Sequence, residues 1–259
     1  MARGLCDTHC HLDLEPLRSY LPFVLASSHA RGVSRFIVPA TTRNSWAPIA
    51  ALADRYSEIY FAQGLHPAFI DVHESEDIAF LEEMLKHRHL KCLAVGEIGL
   101  DRRYPQETRQ EEFFRMQLEV AKASGLPVII HSVGRHHRVL EILNELSGVH
   151  GVVHAYSGSK EQAMKFVELG FKLGAGSLLF RSRKTRDAFQ TVPLDSILLE
   201  TDSPDMYLPS SKSRCGSPLD LIFVLRELCN LRGLDMEFAA EFLQKNCEKL
   251  FFQGDSLRD

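Results

Sequence analysis

Eight times along the chain a short apolar, β-branched run is followed by a longer amphipathic stretch. No other feature constrains the fold as tightly. Strands are expected at Gly4–His9, Arg35–Pro39, Ile59–Leu65, Cys92–Ile98, Pro127–His131, Gly151–His154, Phe171–Ala175 and Ser196–Thr201. Helices are expected at Ser19–Arg31, Ser45–Tyr56, Ile78–Lys86, Gln106–Ser124, Arg138–Leu146, Lys160–Leu169 and Arg183–Gln190. In the clearest of these, Phe114, Leu118 and Ala121 share one face. Gly32, Gly125 and Gly170 stand where helices prefer to end. Runs such as Leu126–Ile130 and Ser196–Leu199 are apolar on both faces, as strands of a covered parallel sheet are. Eight such units in 259 residues suit a closed (β/α)8 TIM barrel better than an open doubly wound sheet. No Gly-x-Gly-x-x-Gly follows the first strand, which removes the dinucleotide-binding alternative. Pro218–Leu231 and Met236–Leu250 are expected as extra C-terminal helices closing the barrel, and residues 1–259 as a single domain.

Charge then narrows the partners. Thirty Lys and Arg against 34 Asp and Glu leave a net charge of −4, so no global basic field attracts a polyanion. Any nucleic acid must be held by local charge or through a metal. The six cysteines (6, 10, 92, 215, 229 and 247) form no Cys-x-x-Cys pair, the first residues lack the apolar stretch of a signal peptide, and no apolar run reaches membrane-span length. The expectation is a reduced, cytoplasmic protein with no membrane association and no obligate protein partner.

The polar residues collect where the strands end. The first strand runs into Asp7-Thr8-His9-Cys10-His11, and alternation in an extended chain points His9 and His11 to one face. The fourth strand carries Glu97, the fifth ends in His131, the sixth in His154, and the eighth runs into Glu200-Thr201-Asp202. In a barrel the C-terminal rim is where active sites are built, so His9, His11, Glu97, His131, His154 and Asp202 should converge. Taken singly, each has an ordinary explanation as a hydrogen-bonded rim residue or a helix cap. Together, four imidazoles and two carboxylates exceed one tetrahedral zinc and suit two divalent ions about 3.5–4 Å apart sharing a bridging ligand. Glu97 is the natural bridge, having two oxygens. The expected grouping is His9, His11, Glu97 and Asp202 on one ion and Glu97, His131 and His154 on the other, with Mg, Mn or Zn as candidates. Asp202 is also the candidate base for a water activated by the two metals. His29, His73, His87, His89 and His150 are expected to be solvated, and His136 and His137 to start a helix.

Six ordered motifs carry a resemblance. They are Asp-Thr-His-Cys-His-Leu at 7–12, Gly-Leu-His-Pro at 64–67, Gly-Glu-Ile-Gly-Leu-Asp at 96–101, Pro-Val-Ile-Ile-His-Ser at 127–132, His-Ala-Tyr-Ser-Gly at 154–158 and Glu-Thr-Asp-Ser-Pro at 200–204. Asn246 with Leu250-Phe251 adds a C-terminal element. In order and spacing the chain resembles the TatD-like metal-dependent deoxyribonucleases, nearest their YjjV branch. The resemblance implies a TIM barrel of the amidohydrolase superfamily, two divalent metals on the same six residues, and hydrolysis of DNA phosphodiesters, often as a 3′-exonuclease. Two places depart from the family pattern. His-Ser-Arg after strand five reads His131-Ser132-Val133-Gly134-Arg135, leaving Arg135 as the replacement two positions later, and Arg-Asn-x-Pro reads Arg214-Cys215-Gly216-Ser217-Pro218.

Candidate substrate contacts are Arg135, Arg181 and Arg183 for flanking phosphates, His66 as a donor to a phosphoryl oxygen, and Tyr156 as a surface on which a base stacks. The expected substrate is single-stranded DNA or a 3′ end. The alternative is a small-molecule amidohydrolase cleaving a cyclic amide, lactone or other non-phosphate bond. Many enzymes of that kind bridge their metals with a modified lysine on strand four, whereas here that strand supplies Glu97, and Lys91 lies at its start. A non-catalytic binding barrel would have lost a ligand or the Asp202 base, and none is missing.

Overall fold

The computed structural model describes residues 4–252. Strands β1 (Leu5–Asp7), β2 (Val33–Pro39), β3 (Ile59–Gln63), β4 (Cys92–Asp101), β5 (Val128–Val133), β6 (Gly151–Val153), β7 (Lys172–Ala175) and β8 (Ile197–Leu199) pair in parallel in chain order. The sheet returns from β8 to β1 through irregular backbone beyond the strands. Thr8 N–H donates to Leu199 C=O (3.1 Å), Asp202 N–H to His9 C=O (2.8 Å) and His11 N–H to Ser203 C=O (2.7 Å). Buried Asp7 reinforces this seam, one oxygen accepting from Thr201 N–H (3.0 Å) and the other from Thr201 Oγ1 (2.6 Å). The closure shortens β1 and β8 relative to the sequence expectation, because their C-terminal backbone bonds across the seam. β4 in contrast runs three residues further than expected, paired with β5 as far as Asp101 opposite Val133.

Around the strands lie α1 (Leu21–Ala30), α2 (Arg43–Arg55), α3 (Ser75–Lys86), α4 (Glu107–Ser124), α5 (His136–Glu145), α6 (Lys160–Glu168), α7 (Arg183–Thr191) and α8 (Leu221–Arg232), followed by α9 (Met236–Phe251). Local chemistry sets several of their ends. Ser159 and Gln162 form a reciprocal capping box at α6, Asp235 accepts from the N–H groups of Glu237 and Phe238 at α9, and α4 stops at Gly125, whose φ is +67°. Among the described residues no helix is long and apolar enough to cross a membrane.

Strand alternation divides the apolar side chains into two layers. Phe36, Val38, Phe61, Val128, Ile130, Leu173 and Leu199 belong to the large outer core beneath the helices. Cys6, Ile37, Ala62, Leu93, Ile129, Val152 and Leu198 form a separate cluster, joined by Cys247, Leu250 and Phe251 of α9. Asn246 fixes α9 there by donating to Leu194 C=O and Ile197 C=O at the start of β8 (2.8 and 2.9 Å). The C-terminal helices therefore divide their work differently from expectation. α8 completes the outer ring, packing on α7 and β8, and α9 alone stoppers the N-terminal end of the barrel. That leaves the C-terminal end for the polar residues.

Candidate metal centre

The six side chains expected to converge do so, around Glu97. Its Oε2 faces His9 Nε2 at 3.2 Å and His11 Nε2 at 3.8 Å. Its Oε1 faces His131 Nδ1 and His154 Nε2, each at 2.7 Å, and His66 Nε2 at 3.1 Å. Asp202 Oδ1 closes the first group, 3.6 Å from His9 Nε2 and 3.7 Å from His11 Nε2. Burial works against ionising Glu97, yet the imidazoles of His154, His66, His9 and His131 hold its carboxyl well below the ordinary range. Burial pushes the Asp202 carboxyl up to about 7 and, helped by neighbouring His154, pushes the His9 imidazole well down. Gly64 is required beside this carboxylate, since a Cβ there would lie 2.6 Å from the Gly96 carbonyl carbon.

These donors suit divalent cations. His9 is buried and neither ring nitrogen has a hydrogen-bond partner, and His9, His11 and Glu97 place ligand atoms within 4.8 Å of one another. A second such set comprises His66, Glu97 and His131. The hydrogen bonds distinguish its two imidazoles. His66 Nδ1 accepts from Ala68 N–H at 2.9 Å, so the proton of the neutral ring sits on Nε2, which points into the site as a donor. Burial lowers this imidazole to about 4, keeping it neutral. In His131 the polarity is reversed: Nε2 donates to Asp101 Oδ2 at 2.9 Å, which turns Nδ1 into the centre against Glu97 Oε1. Against the cost of burial, Asp101 and Glu97 raise His131 to about 9.

Three acids near the centre were not singled out from the sequence. Asp101 anchors His131 and is itself held by Arg103, through its backbone N–H (2.8 Å) and guanidinium (2.5–3.0 Å). Asp7 belongs to the barrel seam. Glu200 lies inside the barrel, accepting from Ala155 N–H at 2.5 Å and 4.0 Å from His154 Nδ1, and burial lifts its carboxyl to about 8. Gly174 makes room for it, since a Cβ there would sit 2.1 Å from Glu200 Oε2. The signal for all three was an acid inside a motif that already supplied a site residue: Asp7 before His9, Asp101 after Glu97 and Glu200 before Asp202.

A cavity of about 540 Å³ opens over the centre, lined by His11, His66, Glu97, His131, His154 and Asp202, with Leu14, Phe69, Arg103, Tyr104 and Met206 at its sides. Four expected substrate contacts are corrected by their placement. Tyr156 is 1% exposed, its ring among His136, Phe166 and Phe189 and its hydroxyl donating to Ser159 C=O, so no base can reach it. Arg135 stands at the start of α5 and pairs with Glu107. Arg181 bonds the Tyr207 carbonyl and covers the Tyr207 ring, and Arg183 lines a separate open groove between α6 and α7. Among the described residues the Lys or Arg that lines this cavity is Arg103. Of the other histidines, His73 and His136 are buried rather than solvated or at the surface. His73 Nε2 bonds the His66 carbonyl at 2.9 Å and so supports the loop that carries His66.

A model of the TatD-related DNases matches residues 6–252. The chain is also 40% identical over 251 residues to an uncharacterized metal-dependent hydrolase of Escherichia coli K12, YjjV, covering 95% of this chain and 96% of that one. The chain belongs to the TatD-related DNase family. It stands thereby among metal-dependent hydrolases. The crystal structure of the E. coli K12 TatD homolog YjjV superposes on this TatD-family chain with a TM-score of 0.93 at 38% identity, covering 97% of this chain and 99% of that one. A relative from Cronobacter sakazakii, 28% identical over 246 residues and covering 90% of this chain and 92% of its own, is named a 3′-5′ ssDNA/RNA exonuclease.

Proposed function

We propose that this chain, working as one domain, hydrolyses phosphodiester bonds of DNA at single-stranded or 3′ ends. The observation that carries the reading is Glu97, whose two oxygens serve two different sets of imidazoles. His9, His11, Glu97 and Asp202 would hold one divalent ion, of the Mg, Mn or Zn type, and Glu97, His131 and His154 the other. A pair of such ions supplies water activation and neutralises charge on the attacking and leaving oxygens of a phosphodiester. The residues do the rest. Asp202 accepts the proton of the attacking water at the mouth of the cavity. His66 donates its Nε2 proton to a phosphoryl oxygen, and its locked tautomer makes it a donor rather than a ligand. Asp101 holds His131 with Nδ1 turned inward. The exonuclease name of the Cronobacter relative supports the choice of substrate. The amidohydrolase alternative loses its lysine: Lys91 donates to Ala53 C=O and Tyr56 C=O, tying the start of β4 to the end of α2.

The test uses metal-stripped protein on 3′-labelled and 5′-labelled single-stranded oligonucleotides, with Mg, Mn or Zn returned separately. Metal-dependent release of nucleotides from one end, abolished in Asp202→Asn, is the expected result. No cleavage with any metal, while two ions still bind per chain, would transfer the reading to a small-molecule hydrolase.

A further inference from the structure

The cavity over the metal centre is poor in cations and rich in exposed rings. Among the described residues Arg103 is the only Lys or Arg that lines it, and its guanidinium is already engaged with Asp101. A strand held by its phosphates needs several such charges, because each phosphate neutralised contributes its own share of counterion release. Opposite this shortage stand Phe69, 44% exposed, and Tyr104, 38% exposed, both lining the cavity with Leu14 and Met206. Large aromatic side chains left in water beside a reaction centre offer their faces to a planar ligand.

Both rings are carried on braced backbone. Phe69 lies in the short helical segment Pro67–Val72, fastened at its start by the Ala68 N–H bond to His66 Nδ1 and by Phe69 N–H to His66 C=O (3.0 Å). Tyr104 lies between β4 and α4, where buried Gln110 donates to the carbonyls of Asp101, Tyr104 and Pro105 at 2.9–3.2 Å. The two loops are tied together by Gln106 to Asp71 and by Arg109 to the His73 carbonyl. The pair is therefore preorganised, and a planar group meeting it gains stacking without first ordering a loop. His66 links the rings to the chemistry, since its Nε2 faces Glu97 while its ring stands 6.1 Å from that of Phe69.

We propose that Phe69 and Tyr104 form a nucleobase subsite that holds the base adjoining the phosphodiester under attack. It gives the chain affinity for a strand through base faces rather than through backbone charge. The inference rests on the phosphodiesterase reading and specifies how that site recognises its substrate.

The test compares kcat/KM on oligonucleotides ending in an ordinary nucleotide with that on the same strands ending in an abasic residue. Wild type should favour the base by about 5- to 160-fold, the range that loss of one base–aromatic stack brings. Phe69→Ala and Tyr104→Ala should erase that preference by slowing only the base-bearing substrate. Tyr104→Trp should keep it, and Phe69→Leu, which retains apolar area without a ring, should not. Phe238→Ala, an exposed ring on α9 away from the site, should change nothing. Equal rates on both substrates in wild type, or variants that slow both alike, would overturn the subsite and leave the nuclease reading standing. Should wild type cleave neither strand, the nuclease reading fails, and binding of a strand ending in 2-aminopurine with Mn²⁺ present decides the subsite. Quenching in wild type that the two alanine variants lose would support it, and no quenching would end it.

Discussion

Replacing Asp101 by asparagine changes one oxygen to an amide nitrogen and turns the surrounding donors against it. In the native site both carboxylate oxygens accept. Oδ1 takes the Arg103 N–H at 2.8 Å and Nε at 3.0 Å, while Oδ2 takes Arg103 Nη2 at 2.5 Å and His131 Nε2 at 2.9 Å. An amide facing His131 sets donor against donor and drives the imidazole to the other tautomer, with its proton on the nitrogen that should bind metal. An amide facing Arg103 instead leaves the backbone N–H and guanidinium of that residue unserved. Either orientation forfeits a charge-assisted bond worth about 1.5–3 kcal/mol. That range corresponds to the loss of about 10- to 100-fold in metal affinity typical when the outer partner of a ligating histidine is removed. Calorimetric titration of metal-stripped protein with Mn²⁺ is the assay. Wild type should show two sites, and Asp101→Asn should weaken the one served by His131 and His154 while sparing the one served by His9, His11 and Asp202. Two sites of wild-type affinity in the variant would refute the role given to Asp101.

Glu97→Gln should abolish turnover by at least about 10³-fold and lose both ions together, because one carbonyl oxygen cannot serve both imidazole sets; metal analysis after dialysis checks the stoichiometry. His9→Ala should raise the metal concentration needed for half-maximal activity, with part of the rate recovered at high metal. Gly174→Ala forces a Cβ against Glu200 and should lower unfolding free energy by about 1–3 kcal/mol in urea titrations. His136 supplies a pH test outside the centre, its imidazole lowered to about 4 by burial and by Lys184. Its folded-state pKa lies below the ordinary 6.5, so the unfolded chain binds the proton first and stability drains as pH falls from 6.5 towards 4. Between pH 7 and pH 5 that is about 2 kcal/mol, a component His136→Phe should lack when both are unfolded in denaturant.

Strand order and the six converging residues were legible because each signal is local. A buried parallel strand is an apolar run, and a rim residue is the polar one that ends it. What stayed hidden depends on which face of a loop looks inward. Tyr156 lies two residues past His154 in sequence, but the chain bends at Ala155, whose φ is +42°, and turns the ring into the core beside Phe166. Arg181 and Arg183 look like a phosphate-binding cluster, yet they occupy the exposed surface around the start of α7. Phe69 and Tyr104 sit in stretches without periodicity, where no pattern separates a ring at the mouth of the site from one in solvent. Asp101 was concealed differently: its partner His131 is 30 residues away, and only the β4–β5 pairing brings them together.

The seam between β1 and β8 has a consequence for the life of the protein before it is finished. His9 and His11 leave the ribosome well before Asp202, whose N–H closes onto His9 and which comes almost two hundred residues later. Until that last strand arrives, the first has no neighbour on one side, and Asp7 has no Thr201 to receive. A nascent chain therefore carries imidazoles able to pick up a metal but no assembled centre in which to use it. Completion of the barrel is thus what brings His9 and His11 together with Asp202 in one centre.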